Sequence, residues 1–288
     1  MTRAMKPSAA KNDFAVNPDT SRQALLARLK AGMARVAGPE RLSAPAPAEA
    51  WRIGLADIDR HLPETGLAPA GLHEIAPASH PDMAAAMGFA LALAARRADL
   101  APGPVLWLGL AGREREFGRP YGHGLKGLGL SRARFMLARL KKPADLVWAM
   151  EEALRAKALA LVIAEAPEQA ADLTISRRLS LAAAEGATPG LLLSPKPLQG
   201  ATAGATRWQV AARPSRPPEY DPLSPGAPCW GVELTRCRGG KPGQWNVEWQ
   251  HAAHHFGLVS GIPDRALPAH EPAHRPAGPA LRAAAGGR

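Results

Sequence analysis

The chain has 288 residues, enough for one large α/β domain or two small ones, and 46% of them are hydrophobic, so a sizeable core can form. The formal net charge of +11 favours acidic partners such as nucleic acid, an acidic protein face or anionic lipid, without choosing among them. The two cysteines, Cys229 and Cys237, would lie roughly 26 Å apart on one extended strand, beyond the ~7 Å a disulfide spans, so a reduced, cytoplasmic protein is expected. No apolar run reaches the ~18 residues of a membrane helix, and Met1 to Thr20 lacks the apolar centre of a secretory signal.

In chain order, residues 1–20 read as a disordered tail. Ser21 then precedes a helix over 21–37, whose apolar positions Leu25, Leu26, Leu29, Met33 and Val36 recur at helical spacing, until Gly38-Pro39 ends it. A Pro/Ala linker over 38–50 separates this helix from a body expected over 51–251. Within the body, Leu72 to Ala76 predicts a short strand, and Pro81-Asp82 starts a long apolar helix running to about Arg97, with Asp82 near its N-terminus, where negative charge is favoured. Pro104 to Leu110 predicts a buried strand, followed by a Gly-rich basic stretch from Gly112 to Gly129. Strands at 134–138, 159–164 and 190–193 alternate with helices at 143–156 and 172–185, and the fully apolar third strand suits a parallel sheet. Such alternation implies right-handed crossovers and a doubly wound sheet. After 206 only strands remain, at 207–212, 230–237 and 245–250; the last two flank Gly239-Gly240-Lys241-Pro242-Gly243 and read as an antiparallel hairpin. Residues 214–228 form a Pro/Ser-rich loop, and 252–288 read as a basic, disordered tail.

This order, a mainly parallel sheet followed by an antiparallel extension, resembles the RecA-like α/β core. A closer resemblance, over roughly 51–250, is to the ImuA family. It is carried by RIGLADIDRHLPETGLAPAGLHEIA (52–76), ADLVWAMEEALRAKALALVIAE (144–165), DLTISRRLSLAAAE (172–185), ATRWQVAARPS (205–215) and WGVELTRCRGGKPGQWNVEW (230–249). The last of these is the most specific. The resemblance implies a part in SOS-induced translesion mutagenesis. Its implied associates are ImuB, a Y-family-like polymerase relative, and an error-prone DnaE-type polymerase, with RecA and DNA as further associates.

RecA-type ATPases follow their first strand with a Gly-rich loop ending in Gly-Lys-Ser/Thr, whose amides and lysine hold phosphates and whose hydroxyl binds magnesium. Here the strand is followed by Pro77-Ala78-Ser79-His80-Pro81-Asp82-Met83-Ala84. No glycine is present, two prolines remove amide donors, and Asp82 would repel phosphate. The expectation is a remnant loop with a structural role, no bound cofactor and no catalytic residue. Glu165 stands where a metal-binding Asp would end a central strand; without a phosphate clamp it reads as a hydrogen-bonded or surface carboxylate.

Candidates for contact with DNA or a partner are Arg177 and Arg178 on one helix, Arg207, and Arg236, Arg238 and Lys241 at the hairpin turn. For the arginine pair a solvated helix face is an equal reading, with Leu173, Leu179 and Leu181 partly facing inward. The stretch Arg113, Arg115, Arg119, His123 and Lys126 carries Glu114 and Glu116 as well and reads as a solvated loop. Trp208, Trp230, Trp245 and Trp249 lie beside cations and could stack bases, but Trp245, Val247 and Trp249 share one strand face, the pattern of core packing. His251, His254 and His255 have no cysteine nearby, and no metal site is expected. The stripe Leu25, Leu26, Leu29, Met33 and Val36 must bury somewhere, either on a partner or back on the chain's own body. The leading functional reading is a non-catalytic adaptor. The alternatives are a SulA-like damage-induced cell-division inhibitor and a RecA-type DNA-dependent ATPase with a degenerate site.

Overall fold

The computed structural model describes residues 22–37, 51–167, 172–217 and 224–259. The expected tail 1–20 and linker 38–50, and most of the C-terminal tail, lie outside these. Nine strands form one sheet: β1 (Leu72–Pro77), β2 (Val105–Leu110), β3 (Phe135–Leu140), β4 (Leu161–Glu165), β5 (Gly190–Leu193), β6 (Thr206–Arg213), β7 (Cys229–Cys237), β8 (Gly243–Gln250) and β9 (His255–Leu258). Their spatial order is β3-β2-β4-β5-β1-β6-β7-β8-β9. The pairs from β3 through to β6 are parallel and those from β6 to β9 antiparallel. This is the expected α/β, RecA-like arrangement. The sheet continues past the boundary expected at 251, because β9 adds an antiparallel edge to β8.

Among the described residues seven α-helices accompany the strands: α1 (Arg22–Ala37), α2 (Ala56–Asp59), α3 (Met83–Leu100), α4 (Glu114–Phe117), α5 (Gly122–Gly127), α6 (Pro143–Arg155) and α7 (Leu173–Gly186). The short α2, α4 and α5 have too few turns to show a periodicity in the sequence. The core divides between the two faces of the sheet. On one face, Phe89 and Leu93 of α3 join Leu125 of α5, Trp208, Trp230 and Trp249. On the other, Leu146, Met150 and Leu154 of α6 meet Leu179 and Ala183 of α7, together with Leu106 and Val162.

Local chemistry sets the helix ends. Pro143 occupies the first turn of α6, with Asp145 beside it and Arg155 in the last turn, each sign placed to complement the helix dipole. The Asp172 side chain caps α7 by accepting from the Thr174 amide at 3.1 Å. Gly186 lies where α7 crosses α6, and a Cβ there would come within 1.8 Å of the Leu154 carbonyl oxygen. Of the three leucines expected to turn inward on α7, only Leu179 is buried; Leu173 and Leu181 are exposed, because α7 covers the sheet with a narrow face.

Helix α1 lies back on the body. Leu29 and Met33 are buried in the α6–α7 core, with Val36 packed against them. Cys229 and Cys237 open and close β7, both as free thiols. Among the described residues no helix is long and apolar enough to cross a membrane.

A buried polar chain links β1 to β6. The Trp208 indole donates to Thr206 Oγ1 at 2.9 Å, and Thr206 Oγ1 lies 2.8 Å from His73 Nδ1. His73 Nε2 lies 3.0 Å from the Ala68 carbonyl, which can only accept. Nε2 therefore carries the proton and Nδ1 accepts from Thr206. Burial, partly offset by the Ala68 bond, lowers the His73 pKa to about 4.

Two predictions follow from this packing. Because the unfolded chain binds a proton at His73 near pH 6.5 and the folded chain only near 4, stability is held above pH 6.5 and falls between those values. The loss approaches about 3 kcal/mol at pH 4. Denaturant titrations across this range should show that slope, and the H73Q variant should lose it. The L29D/M33D double variant puts two charges against α6 and should forfeit roughly 3–5 kcal/mol of apolar burial, read as a lower midpoint in urea.

Candidate functional site

The carboxyl ends of β1 and β4 are where a RecA-like sheet would hold a nucleotide. After β1 the chain makes a short 3-10 turn, His80–Asp82, and enters α3. The Asp82 carboxylate sits inside this turn. Its Oδ2 accepts the Ser79 amide at 3.0 Å and the Ser79 hydroxyl at 2.5 Å, and its Oδ1 accepts the Ala212 amide of β6 at 2.8 Å. Three further amides are engaged: Ala78 donates to Val210, Asp82 to Ser79, and Met83 to His80. Desolvation pushes the Asp82 pKa up, but the Ser79 hydroxyl, the two amides and the charge of Arg213 together hold it below the usual carboxylate value. A side-chain carboxylate thus receives the donors that a phosphate loop would offer to a ligand.

Glu165, at the end of β4, is buried. Its Oε1 accepts the Trp107 indole at 2.9 Å and its Oε2 the Leu110 amide at 3.1 Å. Burial raises its pKa, and these two donors pull part of that shift back. Both carboxylates are therefore tied into the fold.

The basic candidates separate into two groups. Arg207 does not face solvent: its Nε donates to Glu74 Oε2 at 2.8 Å and its Nη1 to the Gly200 carbonyl at 3.0 Å, while Thr202 donates to the other Glu74 oxygen at 2.6 Å. This corrects its assignment as a contact residue; the parallel β1–β6 pairing sets Glu74 directly beside Arg207, and breaking such a buried pair leaves an uncompensated charge. Arg178 is committed to Glu151 of α6 at 2.5 Å, within a network in which Arg155 bridges Glu151 and Glu185. Arg178 is exposed despite this pair, as are Arg177, Arg236, Arg238 and Lys241. Arg238 donates to the Ala203 carbonyl at 3.1 Å and borders a cavity of about 330 Å³ that Ser180 and Ala184 of α7 also line. The hairpin turn and one end of α7 thus meet at a single groove, while Arg177 lies one helical turn before Ser180.

Trp208 and Trp249 are fully buried, Trp230 nearly so, and Trp245 packs edge-on against His61 at 4.9 Å. Trp208, Trp230 and Trp249 belong to the core and Trp245 packs against it, in keeping with the strand face that Trp245, Val247 and Trp249 share. Of the apolar helix stripe, Leu29 and Met33 are buried, and Leu26 and Val36 are half-buried; the Leu25 side chain lies outside the described residues. The three histidines part company: the His251 ring bonds the Gly127 carbonyl at 2.7 Å, His254 packs on Gly129, and His255 opens β9. Among the described residues no group of three potential ligands converges on a metal position. Sequence reasoning passed over Tyr121, whose ring is 70% exposed; its place beside three glycines and two cations was the available signal.

No family model matches the chain. Two curated relatives, each named Protein ImuA and coming from two strains of Caulobacter vibrioides, are 35% identical to it over 244 residues, covering 80% of this chain and 96% of each relative. At that identity, and over nearly the whole of both relatives, the chain belongs to the ImuA family.

Proposed function

We propose that this chain is a non-catalytic, RecA-like adaptor of damage-induced translesion mutagenesis, acting in the cytoplasm. Membership of the ImuA family supports the part in mutagenesis. The turn after β1 carries the non-catalytic reading: the amides of Ala78, Ser79, Asp82 and Met83 are bonded within the protein, and the Asp82 carboxylate already accepts three donors. A phosphate brought within about 4 Å of that carboxylate meets repulsion of roughly 4 kcal/mol per unit charge at an effective dielectric near 20. No lysine stands in the turn to offset it. The adaptor's partners are an ImuB-like Y-family polymerase relative and an error-prone DnaE-type polymerase, with RecA and DNA as further associates. The exposed side chains Arg177, Arg236, Arg238 and Lys241 are the contact residues this reading uses.

Magnesium-ATP should leave the melting temperature unchanged, and phosphate release should stay at the buffer background. Magnesium-dependent turnover that disappears in Asp82→Ala would sink the non-catalytic reading. The same substitution should cost about 1–2 kcal/mol of stability through loss of the helix-start bonds. For the adaptor reading, the R236E/R238E/K241E variant should lose capture of the ImuB-like partner at an unchanged melting temperature. Capture at the wild-type level would remove these residues from the interface.

A further inference from the structure

The segment between β2 and β3 carries five basic residues and two acids from 113 to 132. In the folded chain both acids are engaged: Glu114 forms an ion pair with Arg139 at 2.6 Å, and Glu116 lies 2.9 Å from His80 Nε2. Arg115, Arg119, Lys126 and Arg132 remain on the surface. Helix α5 is anchored by Leu125, with Leu128 beyond its end, both buried in the core, and by the His251 bond to Gly127. Its opposite face is therefore fixed outward, and it presents Tyr121, His123, Gly124 and Lys126.

Tyr121 is the only aromatic among the exposed large apolar side chains of the described residues. Its ring stands 5.1 Å from that of His123. The Arg132 guanidinium lies against the intervening Gly122, where a Cβ would come within 2.8 Å of Nε. Gly112 and Gly124 have no packing reason to be glycine: a Cβ at either would meet nothing within 4 Å, and neither has a positive φ. What glycine provides at such places is bare backbone that another molecule can approach closely. An exposed ring with exposed cations in the same segment and bare backbone among them suits an unpaired base on a phosphate chain, because stacking needs a free base face and the cations track the phosphates.

We infer that this face, built from Tyr121, His123, Gly124, Lys126 and Arg132, binds single-stranded nucleic acid, with a base stacked on Tyr121 and the phosphates held by Lys126 and Arg132. The site is separate from the hairpin turn to which partner contact is assigned above. Its loss should leave capture of the ImuB-like partner intact, so the two readings fail independently.

The test is fluorescence anisotropy of a short labelled oligo(dT) with the full chain, over a series of salt concentrations. Y121A should weaken binding about tenfold, while Y121F, which keeps the ring, should bind like the wild type. K126A should flatten the slope of log affinity against log salt by about 0.7. G124D sets a carboxylate in open space, so it should fold normally and lose binding. The inference is overturned if Y121A and G124D both bind as the wild type does. It is also overturned if polyglutamate displaces the oligonucleotide as well as unlabelled oligo(dT) does, since the face would then accept any acidic chain.

Discussion

Helix α3 is buried on most of its circumference because the two kinds of strand in one sheet lie against it. Its Phe89 ring meets Trp208 at 5.9 Å, Trp230 at 6.1 Å and Phe256 at 5.6 Å, from β6, β7 and β9. Gly88 makes the approach possible, with the Trp230 ring 3.3 Å from where a Cβ would be. Large aromatic side chains carry much of the burial energy of a core, and here they join the antiparallel extension to the helix that follows β1. The parallel half alone would leave this surface of α3 wet. The extension alone would be a meander with one apolar face open to water.

The same junction shapes the turn between β1 and α3. In a nucleotide-binding sheet, the turn into the first helix keeps its amides available for a ligand. Here β6 lies alongside, and its Val210 carbonyl and Ala212 amide bond to Ala78 and Asp82. The turn splices β1, α3 and β6. Asp82 serves as an internal anion that stabilises the start of α3. Glu165 plays a comparable part at the end of β4, where its two oxygens tie β4 to β2.

The helix α1 stripe and the arginine candidates show where periodicity stops being informative. Apolar spacing identifies a face that must be covered, but not which surface covers it. In the structure that surface is α6 of the same chain. Likewise, a cation in a strand pattern carries no label for exposure. Arg207 is buried because Glu74 occupies the neighbouring register position across two parallel strands 133 residues apart in sequence.

Local patterns in the chain are enough to read the alternation of apolar strands and helices, hence the α/β class, the antiparallel hairpin, and the absence of a Gly-Lys-Ser/Thr loop. These are local properties, set by side-chain period and by which residues can donate. The same patterns also assign the tryptophans of β8 to the core, because alternate residues of a strand share a face. It is the folded arrangement that pairs Arg207 and Arg178 with carboxylates, bonds Asp82 to β6, extends the sheet with β9 and turns Tyr121 outward. Each of these depends on partners distant in sequence, and a pairing across the fold leaves no period in the chain for a local pattern to detect.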